Sequence, residues 1–170
     1  TDPHVRLVER SGKSGLASAY AVGFERAISE GYDLVVEMDS DLSHRPDELP
    51  RLLEAATRHH LVIGSRYVHG GSVTNWSRSR VALSKAGNLY ARFCLGFDVH
   101  DATSGFRVYR REALEEIIAA PIASDGYGFQ SELVYRAWNL GLSVGEAPIG
   151  FREREQGHSK ISRRIVVEAL

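Results

Sequence analysis

Apolar runs broken by short polar patches recur along the chain at intervals that fit alternating strands and helices. Val5-Arg6-Leu7-Val8 alternates as a first strand would. After a small Gly-rich loop, Leu16, Ala19, Tyr20, Gly23, Phe24, Ala27 and Ile28 fall on one helical face, with Ser14 placed to cap the helix and Gly31 to end it. Asp33 to Met38 reads as a short buried strand. Pro46 opens a second helix with Leu49, Leu52, Leu53 and Ala56 inward, and Asp47 and Glu48 near its positive end. Leu61 to Ser65 is a third strand-like run. Strand, helix, strand, helix, strand with short connections implies right-handed βαβ units. The expected fold is therefore α/β, a three-layer sandwich around a mainly parallel sheet.

The second half is more polar. Val68 to Arg80, rich in glycine and polar residues, reads as a long mobile loop of the kind that serves as a lid. A helix is expected from Val81 to Phe97, with Leu83, Gly87, Tyr90, Ala91 and Cys94 on one side. That side either packs on the core or rests on a membrane surface. A polar cluster from Asp98 to Arg107 precedes a helix over Arg111 to Ala119. A further helix carries Leu133, Ala137 and Leu140 and ends at Gly141, and Leu142 to Phe151 has the pattern of a last strand. A charged loop from Arg152 to Lys160 leads into a helix that the chain end cuts. With no repeat and no linker composition, residues 1–170 read as a single domain.

Composition narrows the function. The 170 residues are 43% hydrophobic and 25% charged, ordinary for a globular protein, and a net charge of −1 gives no global field to attract nucleic acid. The single cysteine, Cys94, excludes an internal disulfide and a Cys-rich zinc site; it suits a reducing compartment and a small buried role. No apolar stretch reaches the ~18 residues a membrane span needs, so any membrane contact is expected to be peripheral.

The chemistry concentrates at Glu37-Met38-Asp39-Ser40-Asp41-Leu42-Ser43-His44. Asp39 and Asp41 fall in the loop leaving a strand's carboxyl end, where open α/β sheets bind ligands. Two carboxylates one residue apart can share a hard cation such as Mg²⁺ or Mn²⁺, which in turn can hold a diphosphate; the same residues also suit turns and helix caps. Gly12-Lys13-Ser14 is not a Walker loop, because the glycine required five places earlier is Leu7. Lys13 and the amides at the following helix start are nonetheless suited to a phosphate.

Six motifs then line up in order: Lys13-Ser14-Gly15-Leu16 with Ala19-Tyr20; Met38 to His44; Gly64-Ser65-Arg66-Tyr67 with Gly70-Gly71; Asn75-Trp76; Asp101 to Arg107; and Arg154-Glu155-Gln156-Gly157-His158-Ser159-Lys160. Together they resemble the inverting family 2 glycosyltransferases of GT-A fold, and most closely the polyprenol or dolichol phosphate mannose synthases of actinobacterial type. Members of that family open with a nucleotide-gripping strand and an acidic segment that have no counterpart here, so the chain is expected to lack the N-terminal part of the family domain. The resemblance implies transfer of mannose from GDP-mannose to a polyprenyl phosphate. It implies a divalent metal on Asp39 and Asp41, assisted by Ser43 or His44. Arg66 and Arg80, with Ser84 one turn beyond, become candidates for the acceptor phosphate. Arg154, Ser159 and Lys160, with Lys13, become candidates for the donor diphosphate, and Asp101 for orienting the acceptor or acting as a weak base. The implied location is cytoplasmic, peripheral to the inner face of the membrane, with a separate anchoring protein or domain as one route to it. A family 2 enzyme using another donor, such as UDP-glucose, and a truncated nucleotide-binding module without turnover are the alternatives.

Overall fold

The computed structural model describes residues 4–10, 12, 15–124 and 128–153. Helix α1 (Leu16–Ser29) leads to strand β1 (Leu34–Glu37); a single 3₁₀ turn over Pro46–Glu48 leads to α2 (Leu49–Ala56) and β2 (Leu61–Ser65). There follow β3 (Ser72–Thr74), α3 (Arg78–Leu95), β4 (Arg107–Arg110), α4 (Arg111–Ile117), α5 (Gly128–Asn139), β5 (Val144–Pro148) and β6 (Gly150–Arg152). The main sheet has the order β1-β4-β2-β5, and β3 pairs with β6 in a separate two-stranded sheet. Strands β1, β2 and β5 run the same way, and β4 is inserted antiparallel between β1 and β2.

Side-chain alternation along the strands builds two cores. Leu61 and Ile63 of β2 and Tyr109 of β4 face α1, α4 and α5, where Phe24, Leu114, Phe129 and Leu133 complete the packing. Val62 and Val108 face the other way, onto Leu52 and Ala56 of α2 with Phe106 and Ile149. The result is the expected three-layer arrangement, with the carboxyl ends of β1 and β2 opening on one edge.

Several local expectations change. Val5 to Val8 is extended but belongs to no strand, and Val5 and Leu7 are exposed. On α1, Ala17 takes the buried position expected for Leu16. Val68 to Arg80 is not a featureless loop: Ser72, Val73 and Thr74 pair with Gly150, Phe151 and Arg152. The Leu142–Phe151 run is two strands rather than one, broken at Ile149, so that β5 stays beside β2 while β6 leaves for β3. Strand β4 lies where only a polar approach to a helix was expected, because its flanking arginines conceal the buried Val108 and Tyr109. Helix α3 is turned about from its expected face. Leu83, Leu89, Tyr90 and Phe93 are exposed, Cys94 is exposed rather than buried, and the one side chain of the helix that is fully buried is Asn88.

Candidate functional site

Glu37 is the last residue of β1 and points into the protein, so the chain turns outward at Asp39. Leu42 adopts a left-handed backbone, φ 63°, an uncommon conformation for a branched side chain and one that tightens the turn. Within that turn the Ser43 N–H donates to Asp41 Oδ1 at 3.0 Å. The Asp39 N–H donates to Nδ1 of His44 at 3.3 Å, and the Tyr20 hydroxyl hydrogen-bonds the Asp39 carboxylate. His44 is buried beside Phe106 and Phe151. Burial, reinforced by the Arg66 charge, lowers its pKa to about 4. His44 is therefore neutral near pH 7, and its 3.7 Å approach to Asp39 Oδ2 is not an ion pair.

Beneath this turn lies a buried charge network that the motifs did not reveal. Arg107 sits directly opposite Glu37 in the β1–β4 register and is fully buried. Its guanidinium donates to the carbonyls of Ala102 (2.7 Å), Ser104 (2.7 Å) and Gln130 (2.9 Å), fastening the 101–105 loop to the start of α5. Glu37 accepts from the Tyr109 hydroxyl at 3.1 Å and from the Gln130 side-chain amide. Burial raises the Glu37 pKa to about 7, against the opposing pull of Arg107. So fixed, the loop brings Gly105 against Asp39: a Cβ there would lie 3.6 Å from an Asp39 carboxylate oxygen. An ionisable residue at the inward position of an apolar strand was the one available sequence signal for Glu37.

Arg66 follows β2 and is 8% exposed, while Asp101 is completely buried. Asp101 accepts from the Arg66 backbone N–H (2.9 Å), from Nε (2.7 Å) and from a terminal nitrogen (2.6 Å), a fork-like pairing. The same terminal nitrogen donates to Thr103 Oγ1 at 2.9 Å. Tyr67, Trp76 and Phe151 enclose the guanidinium, with ring centroids 5.2–5.4 Å from its carbon. Asp101 thus serves as the counterion that sets Arg66.

On α3, Ser77 caps the helix by accepting from the Arg80 N–H at 3.3 Å. Arg80 lies over the Trp76 ring, 4.0 Å from the centroid, and is paired at 2.6 Å with Glu153, the residue after β6. Ser84 accepts from the Tyr67 hydroxyl at 2.6 Å, and Asn88 donates to the Ser84 carbonyl at 3.0 Å. A cleft of about 210 Å³ beside them is lined by Tyr67, Lys85, Asn88, Leu89, Arg92 and His100.

The structure therefore gathers Asp39, Asp41, Ser43, Arg66, Asp101, Arg80 and Ser84 around the carboxyl ends of β1 and β2 and the amino-terminal half of α3. Lys13, Arg154, Ser159 and Lys160 lie outside the described residues. Among the described residues no group of three or more His, Cys, Asp and Glu side chains is placed to hold a metal ion. A cation on Asp39 and Asp41 would need further oxygen ligands from water or a bound diphosphate, a donor set that suits Mg²⁺ or Mn²⁺. The buried Ser43 Oγ has no hydrogen-bond partner, so it is a further oxygen available at the turn.

Residues 1–118 match the family model for glycosyl transferase family 2. The chain belongs to that family. Among curated relatives, the undecaprenyl-phosphate mannosyltransferase of Micrococcus luteus is 49% identical over 169 residues, which cover 99% of this chain and 70% of the relative. The polyprenol monophosphomannose synthase of Mycolicibacterium smegmatis is 50% identical over 171 residues, covering 99% of this chain and 64% of the relative. This chain thus spans about two thirds of the length of these relatives. Glucosyl-3-phosphoglycerate synthase from Mycobacterium tuberculosis, solved with Mn²⁺, UDP-glucose and phosphoglyceric acid, shares the fold. Its TM-score is 0.62 at 23% identity, covering 94% of this chain and 55% of that one.

Proposed function

We propose that this chain carries the catalytic site of an inverting, metal-dependent transferase that moves mannose from GDP-mannose to a polyprenyl phosphate, giving polyprenyl phosphomannose and GDP. The observation that carries the reading is the convergence of Asp39 and Asp41 with Arg66, Arg80 and Ser84 on one edge of the sheet. The names of the two half-identical relatives support the acceptor and the sugar.

In the reaction a phosphate oxygen of the lipid bonds to the anomeric carbon from the face opposite the diphosphate. The bond from that carbon to the diphosphate oxygen breaks, and GDP leaves with the electron pair. Asp39 and Asp41, with Ser43, would hold Mg²⁺ or Mn²⁺. The cation supplies charge to offset the negative charge gathering on the leaving diphosphate. Lys13, Arg154, Ser159 and Lys160 are assigned to the same diphosphate. Because a phosphate monoester has its second pKa near ~6, the nucleophile is mostly ionised at neutral pH and needs positioning rather than a strong base. Arg80 and Ser84 bind that phosphate, and Arg66, set by Asp101, adds fixed positive charge beside it.

The exposed Leu83, Leu89, Tyr90 and Phe93 on α3 support peripheral contact with the inner membrane face, where the lipid acceptor resides. No helix among the described residues is long and apolar enough to cross a membrane.

Radiolabelled mannose transfer from GDP-mannose to polyprenyl phosphate, with Mn²⁺ or Mg²⁺ and with UDP-glucose as competing donor, tests the reading. Asp39→Ala is expected to abolish metal-dependent transfer. Undiminished transfer in that variant, or preferential use of UDP-glucose, would overturn the metal or the donor assignment respectively.

A further inference from the structure

Glu153 has no part in the chemistry above, yet it holds Arg80, the more exposed of the two arginines assigned to the acceptor side. Its backbone N–H donates to the Thr74 carbonyl at 3.3 Å, which continues the β3–β6 pairing by one residue. Its carboxylate accepts from Arg80 at 2.6 Å, and the two side chains are 41% and 30% exposed. The pair therefore sits where both solvent and a ligand reach it. Arg66 differs: its counterion Asp101 is fully buried and bound through three Arg66 nitrogens, so it has no route out. Close by, the Trp76 indole N–H is buried with no acceptor, although Arg80 is stacked on its ring. A buried donor without a partner is uncommon. The surroundings of Arg80 thus combine a cation, a replaceable anion and an unsatisfied donor.

To a guanidinium, a carboxylate and a phosphate offer the same kind of anionic oxygen acceptors. Resting on the reading of Arg80 as the acceptor-phosphate ligand, we propose that Glu153 is an exchangeable part of the acceptor subsite. Its carboxylate occupies Arg80 in place of the acceptor phosphate and is displaced by it. A phosphate monoester carries up to two charges where Glu153 carries one, so the exchange favours the dianion. Glu153 thereby raises the threshold that an anion must pass to engage Arg80. It also keeps the guanidinium stacked on Trp76 before the lipid arrives.

The test is steady-state mannose transfer by wild-type enzyme, Glu153→Gln, Arg80→Ala and the double variant, with inorganic phosphate as a competing anion. Glu153→Gln is expected to lower the acceptor KM two- to fivefold and to strengthen inhibition by inorganic phosphate by a similar factor, with the KM for GDP-mannose unchanged. Arg80→Ala is expected to raise the acceptor KM tenfold or more, and adding Glu153→Gln to it should change nothing further. If Arg80→Ala raises the acceptor KM while Glu153→Gln raises it too or leaves it unchanged, Glu153 is a fixed support for Arg80. The exchange is then refuted and the acceptor site stands. If Arg80→Ala leaves the acceptor KM unchanged, both the acceptor assignment and the exchange fall.

Discussion

Replacing Asp101 with alanine removes the buried counterion of Arg66. The change removes the acceptor for the Arg66 N–H, Nε and terminal nitrogen at 2.9, 2.7 and 2.6 Å, together with a Thr103 hydroxyl contact at 3.3 Å. It leaves a guanidinium whose side chain is 7% exposed, beneath three aromatic rings, without its counterion. Breaking one side of a buried pair costs about 3–5 kcal/mol, because the remaining charge keeps its desolvation penalty. For a chain of this size that corresponds to a fall in Tm of about 6–20 °C. Urea denaturation followed by far-UV circular dichroism should show the midpoint moving down by about 1.5–2.5 M, taking a slope of ~2 kcal/mol/M. Arg66→Met combined with Asp101→Leu should be less destabilised than Asp101→Ala alone, since an apolar pair of similar volume carries no desolvation penalty. A loss below about 1 kcal/mol for Asp101→Ala, or a double variant no better than the single, would refute a buried, mutually dependent pair.

Two pH effects of opposite sign should be separable. Glu37, with a folded pKa raised from 4.5 to about 7, contributes stability that is fully present below pH 4.5 and lost as pH rises through 7. His44, lowered from 6.5 to about 4, contributes stability that is present above pH 6.5 and lost as pH falls through 4. Each amounts to about 3 kcal/mol, so the native protein should show a nearly flat profile between pH 4.5 and 6.5. Glu37→Gln should then lose stability on acidification and His44→Phe should gain it; identical slopes in chemical denaturation would contradict both assignments. Gly71→Ala would place a Cβ 2.6 Å from the Ser65 carbonyl oxygen, where only backbone can yield, and should destabilise by about 2 kcal/mol or more. Gly145→Ala meets the movable His59 ring at 2.5 Å and should cost less, an order that thermal melts of the two variants would check.

The legible parts of the fold are those whose packing is local. Helix α2 shows its inward Leu52 and Ala56 through spacing alone, and β2 is a continuous apolar run with every residue buried. Strand β4 was hidden because its environment comes from β1 and β2, which satisfy a four-residue segment begun and ended by arginine. Helix α3 has apolar residues on more than one side, so spacing does not decide which face the protein takes; Asn88 is buried because Ser84 and Thr103 receive its amide. For the candidate site, motif order in the sequence points to Asp39, Asp41, Arg66 and Arg80. It does not point to the supports, since the burial of Arg107 and Glu37 depends on carbonyls and hydroxyls supplied from residues 102 to 130.

The small β3–β6 sheet bears on how the protein reaches this state. It joins Ser72–Thr74 to Gly150–Arg152, two segments that meet only after the intervening chain has folded back. Pairings between segments distant in sequence must meet a loop-closure entropy before their contacts can form. Phe151 beside Arg66, and Glu153 on Arg80, arrive with that pairing. During synthesis, Arg66 and Arg80 emerge before residues 151 to 153, so their enclosure by Phe151 and Glu153 is completed only once that segment pairs with β3.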